Sequence, residues 1–327
     1  MDQINATATK DLYFKQALKG IIFSTLGLCG LIFNIIAVWT LILHATRKSS
    51  IPHLIALKDF ESKITLLYLL INLSISDILN CFILTANYIY QTISVFHGPK
   101  SISYSSPSGN IICKIRLFCI SLAITSSAIT LALISLQRFH EVIHLLNESK
   151  TRKRNILIAV ATWLIPMITS TLLAVIYGVT DPFPYYCIIN TGSNFFIAIT
   201  SIAFMCFTVV IPFTVITISY TGNYIVRYTM TRSMQLNNIK GKHSKLAWKG
   251  KDTVLPLIII TFLTFASFTP LVISFMLSSL SKIFHNEFNK NPKSDLWKFF
   301  QISRILTIIP GIINPFIYRI IIKALHQ

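Results

Sequence analysis

Charge is what this sequence most lacks. Of 327 residues only 12% are Asp, Glu, Lys or Arg, about half the share usual in soluble domains. Such a chain cannot cover itself with a hydrated surface. With 53% apolar residues and a mean hydropathy of +0.65, it belongs among integral membrane proteins. Other absences narrow the field. No GxxxxGK[ST] run occurs, so ATP or GTP hydrolysis by the chain itself is not indicated. No internal repeat or linker divides it, which fits one integral domain and disfavours a transporter built from repeated halves. The first 19 residues are polar and carry no apolar core ahead of a small-residue cleavage site. The first apolar segment is therefore expected to act as the insertion signal.

Seven long apolar segments are present: residues 20–44, 64–90, 111–134, 156–180, 195–220, 253–280 and 296–322. Each reaches the roughly 20 residues that a membrane-spanning helix needs. The third has the sharpest outline. From Leu117 to Gln137 it has 21 residues without Asp, Glu, Lys, Arg or His, and residues 113–138 cover about 37 Å as a helix. Cys113 and Arg138 can therefore sit at opposite faces of a bilayer. The expected fold is an all-α integral membrane bundle of seven helices. Within the seven segments Asp77 is the one acidic residue. A charge there costs about 2.5–3.5 kcal/mol on insertion scales, so a functional polar centre is the default reading.

The net charge of +18 could suggest nucleic acid, but its placement points to a membrane. Eighteen of the 29 Lys and Arg fall in segments 45–63, 135–155, 221–252 and 319–327, against 7 in the intervening loops and the N-terminal segment. This positive-inside bias puts the N-terminus outside and the C-terminus in the cytoplasm. Residues 1–19 are then extracellular, 20–322 form the membrane domain and 323–327 a short tail. The basic third inner loop (Arg227, Arg232, Lys240, Lys242, Lys245, Lys249, Lys251) faces anionic membrane lipid or a cytoplasmic partner. Nucleic acid is not an expected partner.

Asn5-Ala6-Thr7 is an N-glycosylation acceptor on the expected outer side. Of six cysteines, Cys29, Cys81, Cys119 and Cys206 lie within spans, while Cys113 and Cys187 lie at the disulfide-permitting outer surface. A bond between them would tie the second outer loop to the third span. Prolines inside spans four to seven (Pro166, Pro212, Pro270, Pro310, Pro315) are expected to kink their helices.

An ordered set of residues carries a family resemblance. Asn34 lies in span one, Leu73 and Asp77 in span two, and Cys113 opens span three. Arg138 follows within Ser135-Leu136-Gln137-Arg138-Phe139, then Trp163, Cys187, Pro212 and Tyr220. Phe268-Thr269-Pro270 and Asn314-Pro315-Phe316-Ile317-Tyr318 complete the set. The chain resembles rhodopsin-like (class A) G-protein-coupled receptors over nearly its whole length. The resemblance implies a multi-pass plasma-membrane receptor with no enzymatic activity, cofactor or metal, partnered by a heterotrimeric G protein. It implies that Arg138 contacts the G protein and that Tyr220 and Tyr318 steady the open inner face. Asn314 and Pro315 would complete that switch. Asp77, Ser127 and Asn314, with Asn34, would form a midplane polar site. Where such receptors hold sodium, the position four before Asn314 is Pro310, which departs from the pattern.

Further departures concern activation. Gln137 stands where the family has an acid restraining the arginine, so raised basal activity or atypical coupling is expected. Phe268 replaces a tryptophan, and Ala128 and Thr264 replace a bulky pair below it. For the ligand, Ile120 replaces the aspartate of amine receptors and Ile308 the retinal lysine of opsins. The outer ends of spans three and seven carry Lys114, Arg116, Lys298 and Arg304 instead. Arg304 lies about 12 Å deep, where a guanidinium either snorkels outward or pairs with an anion. Tyr88, Gln91, Phe268, Leu271 and Phe275 could line the same cavity. The expected ligand is a short peptide with an acidic or carboxylate end, with an anionic lipid or nucleotide as the alternative.

One rival reading comes from His140-Glu141-Val142-Ile143-His144, the HExxH pattern of zinc proteases. It needs a third ligand from another helix, and no span from three to seven offers an Asp or Glu.

Overall fold

In hydrocarbon no water is present to take up backbone N–H and C=O groups, so long apolar runs must satisfy them internally as helices. The computed structural model describes residues 2–49, 57–97, 107–143, 151–179, 187–189, 192–236, 251–284 and 295–326, and nearly all of these are helical. In order they form α1 (Asp2–Ser49), α2 (Leu57–His97), α3 (Pro107–Ile143) and α4 (Thr151–Ile176). A short hairpin follows, made of β1 (Tyr177–Val179) and β2 (Cys187–Ile189). Then come α5 (Asn194–Met205), a π-helical turn (Cys206–Val210), α6 (Ile211–Leu236), α7 (Lys251–Ile283), α8 (Asp295–Leu306) and α9 (Ile308–His326). Six stretches of the described residues are long and apolar enough to cross a bilayer. Residues Thr162–Ile176 of α4 form a shorter apolar helix. The fifth span is α5 with α6, and the seventh is α8 with α9.

The side-chain register gives the direction of each helix. Asp77 meets Asn314 and Asn80 meets Thr307, so α2 runs antiparallel to the seventh span. Asn72 meets Thr130, Ser76 meets Ser126 and Asn87 meets Arg116, so α2 is also antiparallel to α3. Thr125 meets Thr208 and Arg138 meets Asn223, which makes the third and fifth spans parallel. Ser201 with Ser279 and Phe213 with Phe265 make the fifth and sixth antiparallel. Helices three and five run the same way because one full crossing, span four, separates them.

Prolines shape two spans in ways the kink expectation did not specify. Proline removes a backbone donor, and its ring presses on the carbonyl four residues back. For Pro212 that carbonyl belongs to Thr208, inside the π-helical turn that loosens the fifth span. For Pro310 it belongs to Leu306, the last residue of α8, and the helix breaks there. The carbonyl of Thr307, at the break, accepts a 2.8 Å bond from Asn80 Nδ2. Pro166, Pro256, Pro270 and Pro315 stay inside unbroken helices.

Small residues set the closest helix contacts. Cys81 Sγ fills the space beside Gly30 and Gly311, where a Cβ on either glycine would collide with it. That contact locks α1, α2 and α9 together. Before α5 the chain turns through Gly192, at φ +105°, and Ser193 caps the helix by accepting from the Phe196 amide. Lipid-facing positions are apolar: Trp39 is 67% exposed and Phe262 71%. The interior holds many polar groups, Asn34, Asp77, Asn80, Arg138 and Asn314 among them.

Candidate functional site

Three levels of the bundle hold the residues that the sequence singles out. At the end of the bundle expected to face outward, Cys113 and Cys187 form a disulfide, with Cα atoms 5.7 Å apart. The bond works with the hairpin, in which Val179 pairs with Cys187 and Tyr177 with Ile189. The hairpin is thereby laid against the head of α3. Tyr177 and Ile189 join Leu117, Ile120, Phe268, Leu271 and Phe275 in one apolar cluster. Phe275 is its hub, with edge contacts to Tyr177, Phe204 and Phe300 at ring distances of 6.1, 5.8 and 5.7 Å.

Arg304 is only 4% exposed, and its guanidinium lies 5.8 Å from the Phe300 ring centre. A snorkelling arginine would reach solvent; this one is held inside the bundle on an aromatic face. On the α2 side, Arg116 donates a 2.7 Å bond to Asn87 Oδ1, while Tyr88 packs on Phe23 at 5.2 Å. The Tyr88 hydroxyl and Asn87 Nδ2 are buried and have no hydrogen-bond partner among the described residues. The expected pocket residues therefore fall into two groups. Ile120, Phe268, Leu271 and Phe275 pack directly on one another, and Tyr88 and Arg116 stand apart with α2. Arg304 adjoins the first group through Phe300 and acts electrostatically on the Tyr88 hydroxyl of the second. Gln91 lies on α2, and its side chain is outside the description, as is that of Asn5 on α1.

The midplane centre is Asp77, 1% exposed, which accepts a 2.9 Å bond from Asn314 Nδ2. Two expected members take other positions. Asn34 Nδ2 donates to the carbonyls of Gly30 and Gly311, at 2.8 and 2.6 Å, and not to Asp77. The reason lies in Pro315, whose missing N–H leaves the Gly311 carbonyl without its helical donor. Ser127 is buried with its hydroxyl unbonded, and its neighbour Ser126 makes the link to α2 through Ser76. Tyr318 is 1% exposed, and its hydroxyl lies in the surroundings of Asp77, Ser74 and Asn314 without closing a bond.

At the opposite end of the bundle Arg138 is 6% exposed and pairs with Glu141 at 2.6 Å. Asn223 Nδ2 reaches the Arg138 carbonyl at 3.4 Å, and Arg227 Nε donates to Asn223 Oδ1 at 2.6 Å. Tyr220 sits near Arg138 and Thr261 with its hydroxyl unbonded. In the HExxH stretch, Glu141 is engaged by Arg138 and not free to serve as a zinc protease base. His144 lies outside the described residues.

Asn72, Asn80, Cys81, Glu141 and Asn223 were not expected as organising residues. Asn80 was detectable, because the position three after Asp77 shares its side of an apolar helix, whereas Asn72, five before, is turned about 140° away toward α3 and α4. Asn72 accepts 2.7 Å from Trp163 Nε1 and donates 2.8 Å to Thr130, linking α2, α3 and α4.

Two comparisons with known proteins bear on the family of the chain. The profile described as "7 transmembrane receptor (rhodopsin family)" matches residues 34–318, from the Asn34 of α1 to the Tyr318 of α9. The Tachykinin-like peptides receptor 99D of Drosophila melanogaster is 26% identical over 166 residues. That stretch covers 50% of this chain and 27% of the relative's length.

Proposed function

Because the chain belongs to the rhodopsin family of seven-transmembrane receptors, non-enzymatic multi-pass proteins of the plasma membrane, we propose that it converts binding of an extracellular peptide into activation of a heterotrimeric G protein. The observation that carries the ligand side is Arg304. A guanidinium 4% exposed in the outer half of the seventh span, stacked on Phe300 and adjoining an apolar cluster, suits a peptide with an apolar body and an acidic end. The similarity to a receptor named for tachykinin-like peptides favours a peptide over a lipid or nucleotide.

In this reading the N-terminus, with Asn5 glycosylated, is outside, and residues 323–327 are in the cytoplasm. The ligand engages Tyr88, Gln91, Arg116, Ile120, Phe268, Leu271, Phe275 and Arg304 beneath the Cys113–Cys187 cap. It binds one arrangement of the helices better than the other, and that difference is the whole of its driving force. The midplane Asp77, Ser127 and Asn314 and the inner Arg138, Tyr220, Pro315 and Tyr318 rearrange as the inner ends of spans five and six move. The loosened π-helical turn and the break at Thr307 give spans five and seven places to bend.

The test is a peptide library screened against a promiscuous G-protein reporter, followed by Arg304→Glu on the best agonist. The proposal expects potency to fall at least about a hundredfold, the scale of a desolvated charge pair, with surface expression kept. Unchanged potency removes Arg304 from the site. A response to lysophospholipids or nucleotides, with none to peptides, replaces the ligand class.

A further inference from the structure

We infer that Glu141 restrains Arg138 at the inner end of the bundle, the task left vacant by the neutral Gln137. This rests on reading the inner face as the G-protein side. Position 137 is adjacent to Arg138 and rotated about 100° around the helix, and its side chain carries no charge. Position 141 is three residues on and lies on the same face as Arg138. There the carboxylate closes a 2.6 Å charge-assisted bond to Arg138 Nη1. Arg138 Nε and Nη2 have no hydrogen-bond partner among the described residues. Glu141 therefore decides where the guanidinium points.

The fifth span strengthens the restraint. Phe139 packs its ring against Gly222, where a Cβ would collide with it. That close approach lets Asn223 reach the Arg138 carbonyl and, through Asn223, positions Arg227. Arg227 acts electrostatically on both Glu141 and Arg138. Glu141 thus pairs directly with the guanidinium of span three and attracts that of span five at longer range. In the proposed function Arg138 turns to meet the G protein once spans five and six move, and it leaves Glu141 to do so, so the pair opposes the open state. Glu141 is a positioning residue, acting through Arg138. Its rival role is a solvated ion pair at a helix end, which contributes almost nothing.

The test uses the full chain in nanodiscs, with encoded nitroxide residues at Ile143 on α3 and Leu255 on α7, both exposed near the inner ends. Their separation is measured by double electron–electron resonance, beside ligand-free nucleotide exchange on purified G protein. Glu141→Gln should raise the long-distance population and the exchange rate about threefold to tenfold, the scale of one partly solvated charge-assisted bond. Adding Gln137→Asp to that variant should reverse both changes, which a purely structural role for Glu141 would not produce. Unchanged distances in Glu141→Gln, or an opening that Gln137→Asp leaves in place, overturns the inference. Distances that shift while exchange stays at baseline uphold the restraint and tell instead against G-protein coupling.

Discussion

Asn314 donates a 2.9 Å hydrogen bond to the Asp77 carboxylate, joining α9 to α2 across 237 positions of sequence. An acid in the middle of a membrane protein is tolerable only while something offers it a proton or a donor. Asn314→Ala removes the donor and leaves the acid, whereas Asp77→Asn removes the charge and keeps an amide that can still bond. Thermal melting of the purified protein should show Asn314→Ala as the larger loss, by about 1.5–3 kcal/mol. Equal losses would mean that the acid is compensated elsewhere.

Cys81 and Gly311 should behave as one unit. Gly311→Ala places a methyl against Cys81 Sγ, and overpacking of this kind costs about 1–3 kcal/mol. Cys81→Ala should relieve it, so the double variant should be more stable than the sum of the singles predicts. A double-mutant cycle on melting temperature reads the coupling directly, and strict additivity would show that the helices simply move apart.

The Cys113–Cys187 bond closes 74 positions of sequence, which corresponds to about 4 kcal/mol in the chain-entropy picture. Cys113→Ser should lower thermal stability by that order, while Cys119→Ala, at a thiol in no disulfide, should change it little. The same melting assay with and without reductant would separate the two. A loss from reductant in the Cys113→Ser variant would point to a different disulfide.

Packing should outweigh hydrogen bonding in this bundle. Trp163→Phe removes the Nε1 bond to Asn72, and interhelical bonds in membranes average only about 0.6 kcal/mol. Leu131→Ala empties a fully buried core position, where about 2–5 kcal/mol is expected. Denaturation in mixed detergent should rank the leucine variant well below the tryptophan variant. The opposite order would make the Trp163–Asn72–Thr130 chain the main tie between α2, α3 and α4.

How far the sequence could be read depended on the kind of signal each residue left. Asp77 was conspicuous because acids in hydrocarbon are costly, and Cys113 with Cys187 because they alone lay at the outer surface. Asn314 was found through its motif. Glu141 was visible only as part of an HExxH run, because a carboxylate three residues from an arginine is common on any helix. Gln137 suggested an unrestrained arginine, and the 2.6 Å contact from Glu141 shows another acid in reach. The partition of the pocket residues also escaped the sequence, since helical spacing says which residues share a face but not how the faces turn toward one another.

What the sequence alone determined was the solvent and the count. Apolar length sets how many helices cross, and the placement of Lys and Arg points to which ends face the cytoplasm. Both follow from transfer energies that each segment meets separately. The tertiary structure decided which donors serve which acceptors. Asn34 serves the carbonyl that Pro315 leaves open, Asn80 the carbonyl at the break before Pro310, and Glu141 the arginine beside Gln137. These choices depend on helix rotation and register, which small contacts such as Cys81 against two glycines and Phe139 against Gly222 fix once the helices meet.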